Sequence, residues 1–363
     1  MVFLMTNVQH LIKGSVARIA YHNSIIGVIL LGLIPFSAFA GDELPSGASV
    51  QFGTVSIHEK LRNMTVVQSS PKAVVNWDTF NVGSSSAIEF VQPGSDSSIL
   101  NRVTGQSASK IMGNLASNGN VFLINQNGVV FGKNATIDVG GLVAGVLKIS
   151  DDDFLNDRFQ FYGSGEAGVV NYGRISAKDK GLIALLSPEI RNEGVIKARL
   201  GSVLLAAGTR ITLKNLFSGV TVVIEESTVD ALIENKSLVR SDDGNVFIGA
   251  GAATSLQKAV INNSGRVSAN RVTRRDGKIL LESSAITSSG ILESTSQTGV
   301  GGTIQLSGDK IHLATGAIVN ADGELGGGRI DIGGGWRGES IGARPSASAV
   351  LIDQDVEVTA SAG

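Results

Sequence analysis

The 363-residue chain has no cysteine, only six prolines and few aromatic residues. Aromatic residues make up 5% of it, too few for the aromatic ladders of a carbohydrate-binding module. The formal net charge of −2 gives no indication of the basic surface that nucleic acid requires. Four histidines without any cysteine offer no convincing pairing of a nucleophile with a base, which disfavours covalent catalysis. The abundant residue is glycine, with 46 copies.

The first 40 residues have the pattern of an extended export signal. A polar stretch, 1–24, precedes an apolar run, 25–36, and then the small-x-small box formed by Ala38 and Ala40. The apolar run is too short to cross a bilayer comfortably, so we expect cleavage rather than anchoring, with Gly41 as the first mature residue.

Two sequence marks recur together along the rest of the chain. Seven runs follow Gly-x-(Ile/Val)-x-(Leu/Ile), and five of them stand a fixed step behind Asn-x-Gly-x-(Ile/Val)-x-Ala or a looser form of it. The paired marks advance in register by about 20 to 26 residues, the period of a solenoid. The glycines of the second phrase are Gly173, Gly194, Gly265, Gly290 and Gly316, and those that follow in the first are Gly181, Gly201, Gly277, Gly302 and Gly328.

The repeating unit is β rather than α, because apolar residues alternate at a period of two between turn residues. We therefore predict an all-β fold, a right-handed parallel β-helix over residues 41–363, with aliphatic side chains inside. Both marks lapse over 206–262, where we expect the main β-rich excursion. An open sheet edge is an aggregation hazard, so the segment 47–57 is the candidate amino-terminal cap. We expect the five glycines of the second phrase to be turn corners with positive φ.

Three phrases near the amino terminus carry a family resemblance. They are N-W-D-T-F-N-V-G at 76–83, I-L-N-R-V-T-G at 99–105, and G-N-V-F-L-I-N-Q-N-G-V-V-F-G at 119–132. In order and spacing they resemble the haemagglutination-activity, or two-partner secretion, domain of filamentous haemagglutinin-like exoproteins. The likeness extends over about residues 44–335. The chain departs from the family's Asn-Pro-Asn-Gly at Gln126, which does not preset φ as proline does.

The resemblance implies a secretion domain of a large exported adhesin. Such a domain would use the general secretory machinery, bind the POTRA domains of an outer-membrane β-barrel transporter, and lead the remaining chain to the surface of a Gram-negative bacterium. A chain that crosses a second membrane unfolded gains from lacking disulfides. The first coils would fold outside as a template for later ones. We expect a monomer without cofactor, whose host-cell or bacterial receptors are reached by a later region.

The resemblance also suggests the division of the chain and its important residues. Residues 1–40 would be the signal, 41–290 the secretion domain, and 291–363 the start of a repeat region that continues in a longer exoprotein. The side chains expected to fix the secretion motifs are Asn125, Gln126, Asn127 and Gly128 in one turn, and Asn101, Arg102 and Gly105 in a second motif.

A β-helix enzyme that acts on polysaccharides, like pectate lyase, is the main alternative. It would need carboxylates clustered with Lys or Arg on one outer face, whereas the variable positions carry mostly Ser, Thr and Asn. No catalytic, cofactor or metal residue is predicted. The string G-S-G-E-A-G at 163–168 matches a dinucleotide fingerprint but opens a strand, and G-G-G-R-I-D-I at 326–332 is a single copy of a calcium-roll phrase. Asp151–Asp153 is interpreted as a loop or helix start.

Overall fold

The computed structural model describes residues 41–163, 165–216, 220–226, 230–251, 258–271, 277–335 and 346–363. The signal segment, with Ala38 and Ala40, lies outside these ranges. No helix in the described ranges has the length and apolarity needed to span a membrane.

The described chain is built almost wholly of short strands. The strands of its first part are β1 (Ser49–Phe52), β2 (Val55–Lys60), β3 (Asn63–Gln68), β4 (Lys72–Trp77), β5 (Ala87–Val91), β6 (Ser98–Val103), β7 (Ser109–Ile111), β8 (Asn114–Ser117), β9 (Asn120–Ile124), β10 (Val129–Phe131), β11 (Thr136–Val139) and β12 (Gly141–Gly145). After them come the helix α1 (Asp151–Leu155) and β13 (Phe159–Tyr162), β14 (Gly168–Asn171), β15 (Arg174–Ala177), β16 (Leu182–Leu186), β17 (Glu189–Asn192), β18 (Val195–Arg199), β19 (Ser202–Ala207), β20 (Arg210–Lys214), β21 (Thr221–Glu226), β22 (Asp230–Asn235) and β23 (Leu238–Asp242). The last part contains β24 (Asn245–Ala250), β25 (Lys258–Asn263), β26 (Arg266–Ser268), β27 (Lys278–Glu282), β28 (Ala285–Ser288), β29 (Ile291–Glu293), β30 (Thr303–Ser307), β31 (Lys310–Leu313), β32 (Ile318–Asn320), β33 (Arg329–Ile332), β34 (Ala349–Ile352) and β35 (Glu357–Thr359).

Three long sheets form the faces of a parallel β-helix. Sheet 1 has the order β1-β4-β6-β9-β12-β16-β19-β24-β27-β30-β33. Sheet 2 runs β2-β3-β5-β8-β11-β15-β18-β23-β26-β29-β32-β35, and sheet 3 runs β7-β10-β14-β17-β22-β25-β28-β31-β34. Each coil adds one strand to each sheet in parallel register, as between β16 and β19 or β17 and β22. The predicted β-helix is confirmed.

The interior is an aliphatic column produced by the period of two. On sheet 1, Val121, Leu142, Ile183 and Val203 follow one another in register, and each is at most 1% exposed. Stacking of similar branched side chains at one strand spacing of about 4.8 Å fills the narrow interior of these coils, while Trp77, Phe80 and Phe90 are buried in the first coils. The seven Gly-x-(Ile/Val)-x-(Leu/Ile) phrases are therefore strands of sheet 1, namely β9, β16, β19, β24, β27, β30 and β33.

The amino-terminal end is capped by two antiparallel strands. β1 pairs with β4 at the start of sheet 1, and β2 pairs with β3 at the start of sheet 2. They occupy the hydrogen-bonding edges that the first coil would otherwise leave open. The predicted cap is confirmed, and it extends to Lys60 rather than ending at residue 57.

The excursion is made of two separated insertions. α1 and β13 leave the coil after β12, and β20 and β21 leave it after β19. β13, β20 and β21 form a three-stranded antiparallel sheet, and we call this sheet together with α1 the cover.

The predicted location of the excursion, 206–262, was therefore half wrong. β22 to β25 are regular coil strands that pair in parallel with their neighbours on both sides. The lapse of both marks was only apparent. The first mark is present at Gly244, directly before β24, and the second is obscured because Ser237 stands in the place of its glycine.

Sheet 1 is buried on both faces where the cover lies. The outward positions Leu100, Phe122, Val143, Ala184 and Leu204 follow one another across β6, β9, β12, β16 and β19, and none is more than 3% exposed. Phe122 packs against Phe154 of α1 and Phe159 of β13, with ring centroids 5.1 and 5.6 Å apart. These strands consequently read as continuous apolar runs.

A ladder of buried amides runs along sheet 3. Asn171 donates to Asn192, Asn192 to Asn235, and Asn235 to Asn263, each through Nδ2 to Oδ1 over 2.8 Å. Asn263 then donates to the hydroxyl of Ser288 over 3.1 Å. The asparagine of the Asn-x-Gly mark is thus explained, because each coil contributes one amide to satisfy the next.

The glycines of the same mark serve a different purpose from the predicted one. Positive φ occurs at Gly316 (+83°) but not at Gly173, Gly194, Gly265 or Gly290, so the turn-corner explanation is wrong for those four. They are needed because the previous coil is close. A Cβ at Gly194 would lie 2.2 Å from the carbonyl oxygen of Gly173, and a Cβ at Gly290 would lie 2.0 Å from that of Gly265.

We predict that Gly194→Val lowers the free energy of unfolding by about 1–3 kcal/mol, because the coils must separate to admit the side chain. Gly94→Val is the matched control, since its Cβ would meet nothing within 4 Å and its φ is ordinary. Urea unfolding followed by circular dichroism measures both. Equal midpoints for the two variants would contradict the close-approach explanation.

Candidate functional site

The three sequence phrases lie side by side at one corner of the coil. They occupy β4, β6 and β9 of sheet 1, where Asn76, Arg102 and Ile124 stand in register. Residues 22 to 26 apart in sequence therefore become neighbours one strand spacing apart.

A buried polar contact joins the first two phrases to the third. Trp77 Nε1 donates to Asn101 Oδ1 over 3.0 Å, and Asn101 Nδ2 donates to the carbonyl oxygen of Phe122 over 3.3 Å. Trp77 is 1% exposed and Asn101 is fully buried. Both side chains occupy inward positions, so each needs the other to satisfy a polar group inside the aliphatic core.

Gly105, the last residue of the second phrase, allows the backbone of the first phrase to approach closely. A Cβ there would lie 2.1 Å from the carbonyl oxygen of Asp78, which belongs to the first phrase. Its φ is ordinary, so the requirement for glycine comes from this contact and not from backbone conformation.

The Asn125–Gly128 turn is fastened to the neighbouring coils through Asn125. This side chain is fully buried, and its Nδ2 donates to the Ser107 carbonyl over 2.9 Å and to the Ser109 hydroxyl over 3.0 Å. Its Oδ1 accepts from the backbone N–H of Asn127 over 2.9 Å, and its carbonyl accepts from Gly128 N–H over 3.1 Å. The result is an Asx turn within a β-turn.

The rest of the turn divides into an anchored and an exposed part. Asn127 Nδ2 donates to the carbonyl oxygen of Gly105 over 2.8 Å, so the third phrase rests directly on the second. Gly128 has a φ of +112°, which a side chain would strain. Gln126 is exposed at the tip, and its N–H makes no hydrogen bond to any described residue.

Arg102 connects this corner to the cover. Its guanidinium donates to Asn76 Oδ1 over 3.3 Å, to the Ile149 carbonyl over 2.9 Å and to Asp151 Oδ1 over 2.6 Å. Asp151 is the first residue of α1, where a carboxylate also complements the helix amino terminus.

Lys72 holds the other end of α1 and was missed by the sequence analysis. Its Nζ donates to the carbonyl oxygen of Leu155 over 2.8 Å and pairs with Asp157 over 2.7 Å. α1 is therefore pinned to β4 and β6 at both ends. A lone lysine at the start of a strand carries no signal that would have identified this role.

The acidic run Asp151–Asp153 begins the helix, as one of its two interpretations predicted. Ser150 is the N-cap, and its Oγ accepts from Asp153 N–H over 3.0 Å. The hydrogen bond from Ser150 and the contact with Arg158 lower the pKa of Asp153 below its ordinary value.

The other chemical strings are structural. The segment 163–168 leads into β14 and not into a helix, and 326–332 leads into β33. Among the described residues no group of three or more His, Cys, Asp or Glu side chains could hold a metal ion. An open groove of about 390 Å³ adjoins the corner, lined in part by Arg102, Gln126, Lys148 and Tyr162.

Of the predicted site residues, Asn101, Arg102, Gly105, Asn125 and Asn127 form one connected network, with Gln126 and Gly128 completing its turn. Gly41 is described elsewhere, at the capped end, where its carbonyl accepts from Ser85 N–H over 2.8 Å. Cleavage at Ala38, Ala40 and Gly41 stays a prediction.

A capped parallel β-helix with interlocked motifs on its first coils defines the class of β-solenoid secretion domains. The family model described as TPS (two-partner secretion) secretion domain matches residues 42–306. The chain belongs to this family, whose members are secreted by Gram-negative bacteria with the help of a partner outer-membrane transporter.

Similar proteins agree with this assignment. A solved structure, the HMW1 secretion domain from Haemophilus influenzae, superposes with a TM-score of 0.80 at 30% identity and covers 88% of this chain and 84% of that one. Two curated heme/hemopexin-binding proteins of Haemophilus influenzae are 29% and 27% identical over 279 and 285 residues. Each match takes in 72% of this chain but only 30% of the relative. The polysaccharide-enzyme alternative finds no support in these comparisons.

We predict that Asn125→Ala destabilises the domain by about 1–3 kcal/mol, because the buried Ser109 hydroxyl and the Ser107 carbonyl lose their hydrogen-bond donor. Asn262→Ala is the matched control, since Asn262 points outward from β25 and its side chain makes no hydrogen bond to another described residue. Urea midpoints of both variants test this. A shift for Asn262→Ala as large as that for Asn125→Ala would contradict the assignment.

Restoring the family's proline by Gln126→Pro should be tolerated or raise stability by about 0.4–1 kcal/mol, because proline restricts the unfolded chain and no described hydrogen bond of this N–H is lost. The urea midpoint again measures the effect. A fall of more than about 1 kcal/mol would mean that φ at residue 126 does not suit proline.

Proposed function

We propose that this chain is the amino-terminal secretion region of a larger exported adhesin or haemagglutinin-like protein. The observation that carries the proposal is the interlocking of the three phrases at one corner. The side chains of Trp77, Asn101, Asn125 and Asn127 form hydrogen bonds with one another, with the backbone and with the Ser109 hydroxyl, and none of the four is arranged for catalysis. The three phrases thus serve to fix the conformation of this corner, and this conformation is what the transporter would recognise.

The proposed route follows from this role. The signal directs the chain into the general secretory machinery, and the processed chain meets POTRA domains of its transporter in the periplasm. Coils that leave the transporter first fold first, and each later coil adds to a ready edge. The absence of cysteine suits such a passage, since no disulfide can block it.

The proposed division keeps residues 41–290 as the secretion domain and 291–363 as the first coils of a repeat region. The coil continues from β29 into β30 and β32 without a change in pairing, so this boundary would be functional rather than architectural. Receptor binding on host or bacterial cells would belong to a later region. The domain itself would act as a monomer and would not be an enzyme.

The decisive test is secretion of the whole chain, with its own signal, in cells that contain or lack the cognate transporter. We expect processed chain in the medium only when the transporter is present. Asn125→Ala should lower the amount in the medium and leave processed protein in the periplasm, while Asn262→Ala should be exported like the parent. Equal export with and without the transporter would remove the two-partner proposal.

A further inference from the structure

Sheet 2 carries like charges on the outward face of three consecutive strands. Lys197 of β18 stands directly opposite Arg240 of β23, and Arg174 of β15 is diagonal to Lys197, because its own register partner is Val195. The residues that alternate with these cations point inward and are fully buried, namely Ile175, Ile196 and Val239. Like charges one strand spacing apart, about 4.8 Å, destabilise a sheet, so this arrangement needs an explanation.

Charges on other neighbouring strands face the opposite sign. Arg266 of β26 pairs with Glu293 of β29, and Arg191 of β17 lies 3.8 Å from Glu234 of β22. We call the outward positions of β15, β18 and β23 the basic face. Its charged residues are four cations and one carboxylate, Arg174, Lys197, Arg199, Arg240 and Asp242. The chain as a whole has a formal net charge of −2, so the positive excess is local to this face.

Two of the four cations are free to meet a partner. Arg240 pairs with Asp242, Nε to Oδ2, over 2.7 Å, and Arg199 pairs with Asp179. The side chains of Arg174 and Lys197 make no ion pair or hydrogen bond to any described residue. Their charges are therefore not neutralised within the described coils.

The basic face is flat and unobstructed. Its strands are entered through corners of two residues each, 172–173, 193–194 and 236–237, and the cover stands on sheet 1 instead. Val195 and Leu238 lie half-buried among the cations. The positive charges spread over about 10 Å across the strands, from Arg174 to Arg240, and over about 7 Å along β18. The face thus presents an array in two dimensions and not a single line of charge.

We propose that the basic face binds an anionic lipid surface and holds the folded domain flat against it. Headgroup phosphates meet Arg174 and Lys197, whose long stems let the charged ends reach outward, while Val195 and Leu238 permit close approach without a charge to desolvate. Each Lys or Arg beside an anionic lipid layer adds to the attraction. A planar array of cations matches a planar layer of headgroups, whereas a linear polyanion would meet only one row of it.

The place of export is consistent with this partner. Members of the family leave the cell with the help of an outer-membrane transporter, so the domain emerges beside a lipid surface. Attachment through sheet 2 leaves the phrase corner on sheet 1 and the cover facing away from the lipid. This inference goes beyond the proposed function, and its test needs no transporter.

The test measures flotation of the processed, folded chain with vesicles of phosphatidylcholine alone or of phosphatidylcholine and phosphatidylglycerol in equal parts. The variant Arg174→Glu with Lys197→Glu reverses the two free charges, and the carboxylate introduced opposite Arg240 removes a like-charge contact, so the fold is not weakened. The matched control is Lys110→Glu with Lys310→Glu, which makes the same change in net charge at exposed positions of sheet 3. Urea midpoints check the folding of both.

We expect the parent to float with the mixed vesicles and not with phosphatidylcholine alone. It should dissociate as salt rises from about 0.1 M to about 1 M, which shortens the screening length from about 10 Å to about 3 Å. Arg174→Glu with Lys197→Glu should lower the affinity on the order of tenfold or more, while the sheet 3 control stays within about twofold of the parent.

Three results would overturn the inference: a parent that binds neither vesicle, equal binding to both vesicles, or equal losses in the two variants. Binding of polygalacturonate by the parent in place of the mixed vesicles would also overturn it, in favour of an acidic polysaccharide as the partner. None of these results bears on the proposed secretion role, which is tested separately by export with and without the transporter.

Discussion

Every coil of this protein depends on backbone hydrogen bonds to the coil before it. No coil has a core of its own, because its inward side chains are covered only by those one strand spacing above and below. The same constraint explains the cap, which supplies hydrogen-bond partners to the first strands of sheets 1 and 2. It also explains the glycines at the coil corners. At Gly194 and Gly290 the previous carbonyl is too near for any side chain, so the spacing of the strands selects the residue.

The three family phrases show the same dependence of one coil on another, here through polar side chains. Asn101 and Asn125 are buried amides whose partners come from different coils, so neither can be satisfied until its neighbours are in place. Arg102 and Lys72 extend this dependence to the cover by holding the two ends of α1. The corner is therefore a set of mutually dependent contacts.

The β-helix could be predicted from the sequence because two marks recur along the chain. Each mark has the same structural role wherever it recurs, so its period reveals the coil. The phrases of the family are contiguous, so the sequence also pointed to the residues that interlock at the corner, and their part in secretion stays a prediction. The sequence did not predict features that depend on contacts between residues far apart in the chain. The cover joins β13 to β20 across about fifty residues, and nothing local in either strand specifies that partner. It also misjudged the glycines, since a close approach and a positive φ both favour glycine and leave the same letter in the sequence.

The amide ladder of sheet 3 has a direction, and that direction has a consequence for growth. Each Nδ2 group points to the later coil, from Asn171 through Asn192 and Asn235 to Asn263. The last asparagine of a partly formed ladder therefore has an Nδ2–H group without an acceptor until the next coil is in place. Only a strand that arrives in the correct alignment brings an oxygen to meet it, and a strand displaced by one residue turns that oxygen to the other face. An aligned strand satisfies this amide and a displaced strand leaves it buried and unpaired, so the ladder favours the correct alignment of neighbouring coils.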